Sequence, residues 1–254
     1  MRRYAALGLA VFLVLLEVVP RLGLVPRDYL PPLSRILVAL ADEVRQGSFW
    51  VALGDTARTW AIGLAIALAA GIVLGIVIGA VPMLRALTSS TIEFLRPIPS
   101  VALIPLAVLL YGNSITATLL LVVYASFWQV LVQVLHGVAD IDPIASDTAR
   151  SYRLSGWAKV RHLIWPTALP YVVTGIRLAT TVALILTITG ELIIGTPGLG
   201  KEIATAQTSG AVPAMYALVL VTGVLGVLVN LGTRAVERAA LAWHPSVRGE
   251  VVNA

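Results

Sequence analysis

Very few residues in this chain could perform covalent chemistry. Its three histidines, His136, His162 and His244, form no Glu-x-x-His-like cluster, and no serine in an apolar stretch has a histidine nearby. Metal-assisted and nucleophilic catalysis are therefore unsupported. The absence of cysteine excludes disulfides, thiolate metal sites and cysteine-linked haem. The run Gly195 to Lys201 is glycine-rich but continues into Glu202, not into the Ser or Thr of a phosphate loop. The chain reads as a non-enzyme with no metal and no nucleotide site of its own.

What remains is binding chemistry. Ser126, Trp128, Gln129 and Gln133 interrupt one apolar stretch; Thr181, Thr187, Thr189 and Glu191 interrupt another. Gln129 and Gln133 lie four apart, so both occupy one helical face. Polar groups so placed either line a translocation path or bond helix to helix, the second reading suiting threonine better. Glu191 would repel an anion and reads as a cap or interface residue. Glu17 either marks an ion path or pairs with a neighbour such as Arg21. The densest polar feature is residues 147–170, a basic island in an apolar chain. Lipid cannot solvate it, so it lies in water, either as a docking surface for a soluble partner or as a loop held against lipid headgroups.

The elements that position these residues are helices. Hydrophobic residues make up 58% of the chain and charged residues 12%, against roughly 25% charged in soluble domains. Mean hydropathy is +0.92. Long runs such as Ile62 to Ala80 do not alternate, which excludes barrel strands. The expectation is an all-α polytopic membrane protein with about six spans, near 4–25, 55–80, 91–112, 115–138, 169–193 and 213–236. The first follows Met1-Arg2-Arg3-Tyr4 without an Ala-x-Ala cleavage site, so it reads as an uncleaved span. With the N-terminus inside, twelve Lys/Arg fall on that side and six on the other. Both termini are then cytoplasmic. The same topology accounts for the pI of 9.9 without any nucleic-acid partner.

The whole of 1–254 reads as a single transmembrane domain. Residues 1–52 hold the first span and an external amphipathic helix, Arg35 to Val44, introduced by Pro31 and Pro32. Residues 53–238 form the core, with a cytoplasmic loop at 139–168, and 239–254 form a tail. Gly71, Gly75 and Gly79, preceded by Ala67, recur every four residues and allow close helix packing, within the subunit or across a dimer. Pro97, Pro99 and Pro105 break the third span, either to line a pathway or as a buried kink.

Within the island, Asp142-Pro143 starts a helix expected to run to about Leu154. Ser155 caps a second through Trp157, Val160 and Ile164, expected to end at Pro166, with Pro170 letting the fifth span begin. The island resembles the cytoplasmic loop of bacterial ABC importer permeases: Glu-Ala-Ala, three residues, Gly, nine residues, Ile-x-Leu-Pro. Asp147-Thr148-Ala149 and Leu163-Ile164-Trp165-Pro166 fall in register, but Arg153 stands where the family has glycine. That departure puts the usual turn in question, with Gly156 a candidate to supply flexibility. Phe94-Leu95-Arg96-Pro97-Ile98-Pro99 and Gly190-Glu191-Leu192 with Gly195-Thr196-Pro197-Gly198-Leu199-Gly200 look like the nitrate/sulfonate/taurine branch.

The resemblance implies a type I importer permease fold and a second permease copy, with a homodimer expected. It also implies two ATPase subunits that bind ATP and Mg, an extracytoplasmic solute-binding protein, and a small anionic or polar organic solute. It places ATPase docking on Asp147, Ala149, Arg150, Tyr152, Arg153, Leu154, Ser155, Gly156, Trp157 and Pro166. Two other classes compete. An ion-coupled carrier would show repeated halves and paired intramembrane charges, which are missing here. An intramembrane enzyme lacks the residues noted above.

Overall fold

The computed structural model describes residues 2–26 and 28–242; the expected tail beyond 242, with His244 and Arg248, lies outside them. No strand occurs among the described residues. Two compact units emerge, Met1–Ala57 with Ile188–Leu225 and Arg58–Thr187 with Gly226–Ala254.

Four helices are long and apolar enough to cross a membrane among the described residues: α3 (Gly47–Ala80), α6 (Ile115–Ala139), the continuous run Gly156–Ile194, and α11 (Val212–Ala240). A fifth span forms if α4 (Pro82–Leu95) is joined to the pair Ser100–Leu103 and α5 (Ile104–Tyr111), which bend by 82°. The remaining expected span, 4–25, is the helix α1 (Arg2–Arg21).

The third span differs from expectation. Its helix starts not at 91 but at Pro82, whose fixed φ suits a first helical position after extended Val81. Pro97 and Pro99 lack amide donors, so the ladder stops at Leu95, and the hydroxyl of Tyr124 donates to the Leu95 carbonyl at 2.6 Å. Pro105 does not break anything. It lies in the first turn of α5, where no donor is missed.

In the first unit, α2 (Leu33–Arg45) is the expected amphipathic helix. Glu17 on α1 receives the Ser34 amide at 2.9 Å and its hydroxyl at 3.0 Å and pairs with Arg21, so it serves as the cap of α2. Phe49, Ala52, Leu199, Ile203, Ala206 and Leu218 form this unit's core, drawing on α3, α11 and α10 (Leu199–Thr208).

The second unit is built on α6. A Cβ placed on Gly71, Gly75 or Gly79 would stand 2.7–2.9 Å from the Cβ of Val130, Val134 or Val138 respectively. Glycine lets α3 lie directly on the valine ridge of α6, so the stripe packs within the subunit. On another face of α6, Gly137 lies against Ala168 and Tyr171 of α9 (Trp165–Ile194), and Gln133 lies against Gly175 of the same helix. Since lipid tails are as apolar as these side chains, such contacts gain chiefly from close van der Waals fit. The Trp60 indole adds a bond to the Thr180 carbonyl at 3.1 Å, and Arg177 pairs with Glu237 at 3.3 Å.

Candidate functional site

The island folds as an elbow. The Asp142 carboxylate accepts the Ile144 amide at 2.7 Å and starts α7 (Pro143–Ser151), as local sequence dictates. The helix ends three residues before the expected Leu154. The Arg153 amide donates to the Arg150 carbonyl at 2.9 Å, and the Leu154 amide to the Ala149 carbonyl at 3.0 Å. This pair of bonds is the Schellman motif, which requires a left-handed residue after the helix. Arg153 supplies it, with φ 51°, alone among the described non-glycine residues. The position where the resembling family carries glycine thus keeps glycine's geometry with an arginine in it. Gly156 needs no such freedom: its φ is not positive, and a Cβ there would meet open space.

The Ser155 hydroxyl then accepts the Ala158 amide at 3.3 Å and caps α8 (Gly156–Lys159). The second helix does not stop at Pro166. A π-helical turn, Val160–Ile164, carries α8 directly into α9. The wider i→i+5 turn shifts the bonding register just before Pro166, which then costs no mid-helix bond or carbonyl clash. The elbow is therefore continuous with a 39-residue helix, Gly156–Ile194.

On the elbow, Tyr152 is 79% exposed, Trp157 73% and Ile144 76%, with Leu154 at 42%. Large apolar side chains clustered in water are the mark of an interaction surface. Arg150, exposed, pairs with Asp147 at 3.8 Å, and Arg153 is exposed beside them. Ala149 is buried, at 7% exposure, so it supports this surface from beneath and does not present itself. Ile144 was not singled out by its sequence. Its place opposite the buried face of α7 appears only once that face is known.

The intramembrane polar residues separate into different settings. Ser126 is buried and donates to the Ala179 carbonyl at 3.4 Å, and Thr187 donates to Ala183 within its own helix at 2.8 Å. Thr181 bonds back to Arg177 at 3.3 Å. Gln129 and Gln133 are half-buried, Gln133 lying along α9 at Gly175. Trp128 is buried in an edge-on cluster with Tyr124 and Phe127, its indole N–H without a partner.

Glu191 belongs to the first unit and is fully buried. One carboxylate oxygen receives the Thr56 hydroxyl at 2.9 Å and the Gly200 amide at 3.0 Å; the Leu199 amide in turn donates to Thr56 at 2.9 Å. Glutamate and threonine together satisfy the first two free amides of α10. A Cβ on Gly198, whose φ is 148°, would collide with this carboxylate, and one on Gly200 with the Ile188 carbonyl. Thr56, 135 residues away in sequence, had no local signal to find it by. No group of three or more metal-ligating side chains occurs among the described residues.

A family profile described as binding-protein-dependent transport system inner membrane component matches residues 67–241. The taurine transport system permease protein TauC of Escherichia coli (strain K12) is 30% identical over 245 residues, covering 94% of this chain and 89% of that protein. The putative aliphatic sulfonates transport permease protein SsuC of Bacillus subtilis (strain 168) is 25% identical, covering 94% and 87%. The bicarbonate transport system permease protein CmpB of Synechococcus elongatus is 28% identical over 73% of this chain and 66% of that protein. In fold, the chain is similar to one from the inward-facing MetNI methionine ABC transporter (TM-score 0.63, 16% identity, covering 73% of this chain and 93% of that one). A chain of an amino acid ABC transporter solved with histidines gives a TM-score of 0.59 at 19% identity, covering 76% and 94%.

Proposed function

Because the chain belongs to the family of binding-protein-dependent transport system inner membrane components, we propose that its solute is a small anionic or polar organic molecule of the sulfonate or taurine type. The chain is the membrane-spanning permease subunit of an ABC importer, a multi-pass inner-membrane protein that is itself non-catalytic. ATP is hydrolysed on a separate subunit. In our reading two such ATPases bind ATP and Mg and seat the two elbows of a permease homodimer. A solute-binding protein delivers the solute from outside, and both termini face the cytoplasm.

The observation that carries this reading is the exposed apolar elbow fused to a membrane-spanning helix. A lever must offer a partner a surface and must move something when that surface moves. Tyr152, Leu154, Trp157 and Ile144 offer the surface. A π-turn, not a loop, joins it to α9, so displacement of the elbow becomes displacement of the helix that carries Thr187. Arg150 and Arg153 face acidic groups of the ATPase in this scheme, and Ser126, Trp128, Gln129, Gln133, Thr187 and Glu191 remain the candidates for shaping the path.

The chain purified in mild detergent from its own host should carry an ATPase at one-to-one stoichiometry. Trp157→Glu with Leu154→Glu should abolish that association while leaving the helical content unchanged. Solute-stimulated ATP hydrolysis surviving this double change would overturn the docking assignment. Uptake dissipated by ionophores, from a chain that purifies alone, would favour an ion-coupled carrier. The solute class is checked by uptake of labelled taurine against alkyl sulfonates and bicarbonate.

A further inference from the structure

A cavity in the second unit lies beneath the elbow and has no part in the docking surface or the path described above. It measures about 630 Å³, within the usual range of small-molecule sites, and it is half-open. It lies where α3 ends at Ala80 and α6 ends at Ala139, at the root of the elbow. Ile76, Val77, Val138 and Ile141 give it apolar walls, and Arg85, Lys159 and Ser146 give it a polar rim.

Its charge is one-sided. No acidic residue lines it, and neither Arg85 nor Lys159 enters any ion pair among the described residues. The acids nearby in sequence are engaged elsewhere: Asp140 accepts the Tyr171 hydroxyl at 2.9 Å, Asp142 caps α7, and Asp147 pairs with Arg150. Two cations and a hydroxyl above an apolar cleft, at the ends of two spans, match an amphiphile with an anionic head and hydrocarbon tails. Basic pockets between membrane helices recognise acidic lipid headgroups by this combination. Trp165, exposed and next after the π-turn, suits the headgroup level, where indoles concentrate.

We propose that this cavity is a binding site for an anionic phospholipid, its phosphate held by Arg85, Lys159 and Ser146 and its acyl chains against Ile76, Val77, Val138 and Ile141. Arg85 stands just past α3 and Lys159 on α8, so the lipid joins the fixed end of the span to the movable elbow. Membrane composition then becomes an input to the lever.

The test is native mass spectrometry of the purified chain, titrated with dioctanoyl phosphatidylglycerol and, separately, dioctanoyl phosphatidylcholine. Phosphatidylglycerol should bind preferentially. Each of Arg85→Gln and Lys159→Gln should weaken it about fivefold, and the pair about 30-fold, as expected for one charge each at a membrane surface. Both residues are on the rim, and an unchanged circular dichroism spectrum keeps the comparison with the parent chain valid. Equal binding of the two lipids, or an unaffected double variant, would overturn the proposal. Displacement of phosphatidylglycerol by millimolar inorganic phosphate would also overturn it, in favour of a free-anion site. Because the readout is lipid on the chain itself, its failure is separable from failure of the ATPase docking.

Discussion

Two helix ends in this molecule solve the same problem in opposite ways. The start of α10 is closed by tertiary partners: Glu191 and Thr56 reach in from two other helices to take the Leu199 and Gly200 amides, with all four residues buried. The end of α7 is closed locally, by a Schellman turn whose only unusual ingredient is a left-handed arginine, and the side chains around it are exposed. The first arrangement cannot shift without stranding buried polar groups. The second can swing as a body without breaking a tertiary bond. A transporter that must keep one end fixed and move the other has reason to use both.

The sharpest way to break this contrast is at Glu191. Glu191→Ala leaves the Gly200 amide and the Thr56 hydroxyl buried without an acceptor, a loss of about 2–4 kcal/mol. Thermal unfolding in detergent should show it, and Glu191→Gln, which retains an acceptor, should recover much of it. If Glu191→Ala unfolds like the parent chain while Thr56→Ala is equally silent, α10 is not fixed in this way. The elbow should behave inversely: Tyr152→Ala with Trp157→Ala should leave the unfolding temperature in place and reduce ATPase association by an order of magnitude or more, as truncated aromatic anchors do. Ala149→Glu, by contrast, forces a charge beneath α7 and should disturb both measurements.

An intermediate effect is expected where α3 packs on α6. Gly75→Val would drive a side chain into Val134, whose Cβ is 2.7 Å from where the new one must stand. Overpacking of this kind costs about 1–3 kcal/mol, visible as a lower unfolding temperature. Gly54→Val on the same helix, where a Cβ meets nothing, is the control.

The parts of this design that could be read in the sequence are those decided locally. Apolar run length located the four long helices that can cross a membrane, because lipid thickness sets it. Asp142-Pro143 and Ser155 announced the two helix starts of the elbow, because caps act within three residues. Glu191 was legible as a cap but not as the cap of α10 through Thr56, since that bond joins residues 135 apart. Pro166 and Pro170 were misleading: a proline ordinarily ends or opens a helix, yet a π-turn, for which the sequence has no signature, precedes Pro166, and Pro170 lies inside α9 instead of opening the span. Ala149 was placed in the docking set by the family resemblance; that it lies beneath the surface depends on which face of α7 is covered, and elements elsewhere in the chain decide that.

The smallest predicted effect bears most directly on the contrast. Arg153 holds φ 51° without the freedom of glycine, and left-handed backbone costs an ordinary side chain roughly 1 kcal/mol. Arg153→Gly should therefore stabilise the elbow by about 0.5–1 kcal/mol, reduced by the greater entropy glycine retains when unfolded. Global unfolding will barely register this, so hydrogen exchange at the Leu154 amide, which donates to Ala149, is the measurement to make. Slower exchange with weaker ATPase association would show that the arginine is kept for its charge at the expense of the turn. Faster exchange would mean that the guanidinium braces the elbow in the assembled transporter, and the local closure of α7 would then depend on a partner much as α10 depends on Glu191.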